Sequence, residues 1–319
     1  MEYRNLGASG LKVSVLGLGT NAFGSRADRD TSIRIIHGAL DAGINFLDTA
    51  DIYSNTKSEE IIGEALVERR NQAIVATKAG ITLGDGPNDG GTSRAYLTRA
   101  LHESLRRLRT DYVDLYQMHR FDESTPLEET LRTLDDFVRQ GKVRYIGASN
   151  YAAWQLMKAL AISEREHLTR FVAVQPGYSL ADRTVEAELV PMCLDQGVGL
   201  IPYFPLAGGI LTGKYTSADN PPPGSRLETQ PGFARRLTED RLELGRKVAV
   251  LAEQLGTTPG ALSLAWLYQR PSVATVIAGA TKPEQVEANL KSLDVVLDQD
   301  VMDELNTMTE SFKYRQPIA

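Results

Sequence analysis

Apolar residues recur along this chain in two alternating rhythms. Short, nearly continuous runs rich in Val, Ile and Leu are followed by longer stretches in which apolar residues fall three or four apart. Runs of the first kind predict buried strands, and spacing of the second kind predicts amphipathic helices. After a hairpin-like start (Tyr3–Leu6, a turn at Gly7–Gly10, Lys12–Ser14), the strand-like runs are 15–19, 44–48, 73–78, 113–118, 142–149, 171–175, 199–203 and 272–279. Between them, Ile33, Ile36 and Leu40 share one helix face, as do Leu97, Leu101, Leu105 and Leu108, and then Leu127, Leu131, Leu134 and Val138. A helix is expected from Ser58, with Ser58 as its N-cap and Glu59 and Glu60 complementing the helix dipole. Further helices are expected over 151–163, 185–196 and 283–293.

Eight strand–helix units with right-handed crossovers close most simply into an α/β fold, the (β/α)8 TIM barrel. Two departures stand out. About 70 residues lie between the seventh and eighth strands, more than a connecting loop needs. They include the Pro/Gly-rich TSADNPPPGSRLETQPG and helical patterns at 237–255 and 258–270. A last helical stretch, 298–308, precedes a tail ending KYRQPIA. No composition shift marks a boundary, so one barrel domain is expected over 1–319.

Composition narrows the class. The chain has 319 residues, 42% of them hydrophobic, and a net charge of −6 without a long basic run. Nucleic acid and anionic membrane surfaces are therefore not expected as partners. No apolar stretch is long enough for a transmembrane helix, and MEYRNLGASG lacks the apolar core of a signal peptide. The single cysteine, Cys193, forms no internal disulfide and reads as a small buried hydrophobe in a cytoplasmic protein. With no CxxC, no HExxH and four scattered histidines, no dedicated metal site is expected. The run Gly17-Leu18-Gly19-Thr20-Asn21-Ala22 matches a dinucleotide fingerprint in form only. That motif needs a helix to begin at once, and here the next helical pattern waits until about Thr31.

The chemistry gathers at strand ends. Asp48 closes the second run, Tyr53 follows it, Lys78 closes the third, and His119 follows the fourth. In a barrel these ends are neighbours on the face that carries active sites. A phenol with a pKa of about 10 is a poor acid at neutral pH. A nearby ammonium stabilises its phenolate, and a buried carboxylate keeps that ammonium charged and fixed. Asp48, Lys78 and Tyr53 thus form a tuned general acid, with His119 placed to orient a carbonyl oxygen or to share the proton. Each residue alone has an ordinary alternative, Lys78 as a surface lysine or Asp48 as a cap partner.

The segments GINFLDTADIYSNTKSEEIIGEAL, IVATK, LYQMHRFD, KVRYIGASNY and LIPYFPLAGGILTGKY together resemble the aldo-keto reductases over nearly the whole chain. The nearest flavour is a bacterial branch that is itself similar to the potassium-channel β-subunits. The resemblance implies reduction of small aldehydes or ketones, with Tyr53 as acid/base, Lys78 and Asp48 tuning it, and His119 placing the carbonyl. It implies NADP(H) bound in extended form without a Rossmann domain, and transfer of the 4-pro-R hydride. Ser149, Asn150 and Gln175 match the residues that hold the nicotinamide carboxamide, and Tyr203 matches the aromatic that stacks on its ring. Thr20 and Asn21 match further cofactor contacts. Within PLAGGILTGK, Leu206, Gly208, Leu211 and Lys214 match the stretch over the pyrophosphate. In AGATKPEQVEANL, Asn289 matches the adenine contact, and Gly279, Thr281, Lys282 and Gln285 surround the 2′-phosphate position.

This sequence departs from the family there. Gln285 stands where many members have arginine, and Gly279 where many have lysine. A bidentate clamp on phosphate is missing, so tolerance of NAD(H) is expected beside NADP(H). Phe23, Arg120, the loop after strand seven and the C-terminal tail are expected at the pocket wall. A second reading is a nucleotide-binding, redox-sensing regulatory subunit similar to the channel β-subunits. Against it, this chain keeps a histidine at 119, where those subunits depart from the tetrad. A third, a barrel isomerase or aldolase with Lys78 as a Schiff base, leaves the nicotinamide-type residues without a purpose.

Overall fold

The computed structural model describes residues 1–314 apart from 216, 218–221 and 224. A hairpin, β1 (Tyr3–Asn5) and β2 (Lys12–Ser14), opens the chain. The alternation then runs β3 (Leu16–Gly19), α1 (Arg29–Asp41), β4 (Phe46–Asp48), α2 (Lys57–Ala65), β5 (Ile74–Ala79), α3 (Arg94–Arg107) and β6 (Val113–Met118). It continues with α4 (Leu127–Arg139), β7 (Val143–Ser149), α5 (Ala153–Arg165), β8 (Phe171–Gln175), α6 (Leu189–Gln196) and β9 (Gly199–Leu200). After α7 (Arg226–Thr229), α8 (Glu239–Gln254) and α9 (Pro259–Tyr268) come β10 (Val276–Gly279), α10 (Pro283–Leu290) and α11 (Gln299–Met308).

Eight parallel strands pair in the order β10-β3-β4-β5-β6-β7-β8-β9. The edges meet through Leu200, which pairs with Val273 and exchanges backbone bonds with Ser272 and Ala274. The curled sheet and its helices have the form of a (β/α)8 barrel. The barrel's inside is its own small core of Phe46, Ala76, Leu115, Ala173, Ile201, Ala274 and Ile277, and the hairpin's Leu6 and Val13 pack into the same cluster. The larger core lies between sheet and helices. Strand side chains must be apolar on both faces to serve the two cores, which explains the unbroken apolar runs. The hairpin's Ala8 amide bonds Gly197, just before β9, so the hairpin lies toward the strands' N-terminal ends.

Several expected boundaries move. The run 199–203 yields strand only at Gly199–Leu200, because Pro202 has no amide to give and Tyr203 is held by a single bridge to Gly177. The run 272–279 is strand only from Val276. Ser58 is not an N-cap. The cap position is Thr56, in left-handed backbone at φ 72°, and Ser58 is buried one residue inside α2. The 185–196 helix divides into a 3-10 turn at Thr184–Glu186 and α6. Among the described residues no helix is long and apolar enough to cross a membrane. Cys193 is buried, and burial pushes its thiol up to about 12.

Candidate active site

β4 and β5 run side by side, as do β5 and β6, so the ends bearing Asp48, Lys78 and His119 are adjacent. Tyr53 returns over them through a tight turn. Ser54, Asn55 and Thr56 all take positive φ (51°, 53° and 72°), which L-residues adopt at a cost of on the order of 1 kcal/mol each. The strained residues carry the chain from Tyr53 into α2.

Lys78 is fully buried, and its Nζ donates to both carboxylate oxygens of Asp48 (2.9 and 2.7 Å) and to the Thr49 carbonyl (2.8 Å). The Tyr53 hydroxyl stands 3.4 Å from the same nitrogen. Asp48 also accepts from Gln175 Nε2 at 2.7 Å and, more weakly, from Gln117 Nε2 at 3.4 Å. A buried pair survives desolvation only when its remaining lone pairs are filled in this way. Burial disfavours the Lys78 ammonium, but Asp48 and the Tyr53 oxygen together outweigh it, and its pKa rises.

The phenol behaves differently from the simple expectation. The Lys78 charge does pull the Tyr53 pKa down, yet burial is the larger effect and the net direction is upward. Tyr53 therefore keeps its proton through the neutral range, and the ammonium favours the phenolate only as a proton departs. His119 is pushed down to about 3, by burial first and then by the Lys78 and Arg120 charges. It is a neutral imidazole at ordinary pH, its ring 5.8 Å from that of Tyr53 and nearly perpendicular. Its Nδ1 is buried without a hydrogen-bond partner among the described residues.

Ser149, Asn150, Gln175 and Tyr203 are linked beside His119. Asn150, at φ 56°, accepts from the Tyr203 hydroxyl at 2.8 Å and donates to the His119 carbonyl at 3.0 Å. Ser149 Oγ donates to the Gln175 carbonyl at 2.9 Å. Neither caps α5, whose N-cap is Ala152. Past Tyr203, Gly208 and Gly209 take positive φ (70° and 103°), and Leu206 accepts from the Gly209 and Leu211 amides. A Cβ on Gly209 would come within 2.6 Å of Lys214 Cε, so a glycine there lets the lysine lie across the turn. Leu211 is fully buried and gives its side chain to the core. Thr20 is buried, its hydroxyl spent on the Asp48 carbonyl and Ser58. Asn21 is exposed and accepts from Arg26.

Phe23, expected at the pocket wall, is completely buried in the main core. Gln285 does not extend from α10. Its Oε1 accepts from the Thr281 amide (2.6 Å) and hydroxyl (3.2 Å), closing the helix start in place of a side-chain cap at Lys282. Gly279 and Lys282 are exposed, while Asn289 is half-buried. Arg120 is exposed beside His119. The C-terminal tail beyond 314, expected at the pocket wall, lies outside the described residues.

The sequence reading passed over four residues. Gln117 lies near the end of β6, two positions before His119, and period-2 alternation could have placed it on the same side. Arg226 and Arg236 lie over the rings of Phe204 (4.5 and 5.5 Å) and Phe233 (5.3 and 5.5 Å). With Arg26, from the loop after β3, they crowd the strand-nine loop with positive charge. Arg226 is pushed down to about 10 by burial, then by Arg26 and Arg236, and Lys214 is lowered by burial and by Arg26. Cations that raise one another's energy make a site suited to a polyanion. No spacing in the sequence announces that cluster, since its members come from separate loops.

The model of the aldo/keto reductase family covers residues 15–310. The chain belongs to that family. It is 39% identical to a rice (Oryza sativa subsp. japonica) protein described as "Probable voltage-gated potassium channel subunit beta", over 98% of this chain and 97% of that one. It is also 39% identical to "Uncharacterized oxidoreductase YrpG" of Bacillus subtilis (strain 168), over 96% and 95%. At 35% it resembles "Versiconal hemiacetal acetate reductase" of Aspergillus parasiticus, over 93% and 94%. The family and these two oxidoreductase relatives support an oxidoreductase.

Proposed function

We propose that this protein reduces small aldehydes or ketones to alcohols with NADP(H), and that Tyr53 is the proton donor. The observation that carries this reading is the buried chain Asp48–Lys78–Tyr53 beside a neutral His119. Of the two groups able to give a proton, the imidazole carries no extra proton at ordinary pH, whereas the phenol is loaded. Tyr53 then gives its proton to the carbonyl oxygen, and Lys78 stabilises the phenolate left behind. His119 orients the same oxygen as a hydrogen-bond partner.

The residues present fit a nicotinamide dinucleotide. Lys214, Arg26, Arg226 and Arg236 suit its phosphates. Ser149, Asn150 and Gln175 suit the carboxamide, and Tyr203 offers a ring for stacking. When bound, the nicotinamide supplies the hydride. Lys282 would hold the 2′-phosphate end as a point charge, without an arginine fork, so NADH should serve as a weaker alternative.

A steady-state screen of activated aldehydes and ketones, run in parallel with NADPH and NADH, tests the reading. Carbonyl-dependent oxidation of NADPH, faster than that of NADH, is expected. Tight NADPH binding with no turnover of any carbonyl would instead favour a regulatory subunit, the reading to which the rice relative's description points.

A further inference from the structure

Behind the tetrad, in the same turn as Tyr53, lies a second acidic site that the proposed reaction does not use. Asp51 is completely buried, and its backbone amide donates to the Lys78 carbonyl at 3.1 Å. Oδ1 of its carboxyl has no hydrogen-bond partner among the described residues. Oδ2 lies 3.5 Å from the Tyr96 hydroxyl, which is 3.0 Å from the Ile81 carbonyl. That hydroxyl has one hydrogen, and the shorter contact is to a carbonyl that can only accept. The geometry is consistent when Asp51 carries a proton and offers it to Tyr96, while Tyr96 offers its own to Ile81.

The charges around Asp51 point the same way. From α2, Glu59 is fully buried, accepting from Thr77 Oγ1 at 2.5 Å and from Arg107 Nε at 2.7 Å. Gly63 lets α2 lie against the end of α3, since a Cβ there would stand 2.3 Å from the Arg107 carbonyl. Among the described residues, the arginine that reaches this site, Arg107, is committed to Glu59. From β6 comes the Tyr116 hydroxyl, buried and without a partner among the described residues. From α3 come Tyr96 and Arg107, and from the mouth side Tyr53, Lys78 and Asp48. Burial and then the Glu59 charge push Asp51 up to about 7, with Arg107, the Ile52 amide and the Tyr96 hydroxyl pulling the other way.

We infer that Asp51 is held as a carboxylic acid under the Tyr53 turn, and that its ionisation opposes proton transfer from Tyr53. The inference rests on Tyr53 being the proton donor. The electrostatics follow directly: a carboxylate beneath the phenol raises the energy of the phenolate that forms as the proton leaves. Asp51 is thus a positioning and tuning residue, acting through Tyr53 without touching substrate.

The test is the single-turnover rate of carbonyl reduction by the NADPH-loaded protein across about pH 6 to about pH 8.5. The wild type should slow on the order of three- to tenfold over this range. Asp51→Asn should flatten the profile, and Glu59→Gln should move the break to lower pH by removing the neighbouring charge. A break that persists in Asp51→Asn overturns the inference, as does a flat wild-type profile. Infrared difference spectra of the wild type at the two pH extremes keep the test independent of turnover and of the variants' folding. A protonated buried carboxyl band should be present at low pH and lost at high pH. Its absence overturns the inference, whereas a band without any turnover sinks the proton-donor reading instead.

Discussion

Asp48 and Asp51 stand three residues apart, both buried, with exposures of 3% and 0%. One receives four hydrogen bonds from three side chains, including both of its contacts to an ammonium. The other has one oxygen without a partner and a neighbour, Glu59, that has taken the nearest arginine. The same side chain, in the same motif and at the same depth, is thus built into two different chemical groups. Burial alone does not set the charge of an acid; the supply of donors and counter-charge does.

Breaking the saturated member should have the largest effect. Lys78→Met leaves Asp48 buried without its cation, at a cost of about 3–5 kcal/mol, and removes the charge that stabilises the phenolate. Denaturant unfolding should show that loss, and carbonyl-dependent NADPH oxidation should fall on the order of a thousandfold.

Changing the unsaturated member should stabilise the protein. The folded-state pKa of Asp51 lies above its ordinary value, so the unfolded chain releases the proton first as pH rises. Native stability from this group is therefore lost progressively from about pH 4 to about pH 7, and no further loss follows above that. Asp51→Asn should match the wild type near pH 4 and exceed it by on the order of 4 kcal/mol at pH 8, read from denaturation midpoints. Wild-type-like stability at both pH values would mean that Asp51 has found a partner.

Removing the weakest donor to Asp48 should matter least. Gln117→Leu deletes the 3.4 Å contact, and a change of about 1 kcal/mol or less in stability or in the activation barrier is expected. A loss as large as that of Lys78→Met would show that the pair depends on the whole donor set.

The barrel was legible because its strands serve two cores and so appear as unbroken apolar runs. The order of elements was legible for the same reason, and the hairpin was legible from its Gly7–Gly10 turn. Where a run contains proline, as at Pro202, apolarity overstated the strand, because it reports burial and not hydrogen bonding. At the site, residues that end strands could be placed from the sequence. Contacts between loops could not be, and Arg26, Arg226 and Arg236 meet only in three dimensions. Glu59 shows the limit best. At the start of α2 it reads as a solvent-facing complement to the helix dipole, yet the structure buries it on Arg107 and Thr77. Only the packing of α2 against α3 distinguishes the two.

Tyr53 is the centre of the proposed reaction. NADPH binding and single-turnover carbonyl reduction, measured side by side in the wild type and in Tyr53→Phe, test it most directly. Reduction should fall on the order of a hundredfold or more while the Kd for NADPH stays within about twofold, because the hydroxyl gives the proton and the ring only lines the site. A Tyr53→Phe protein that keeps more than about a tenth of the wild-type rate would contradict Tyr53 as the proton donor.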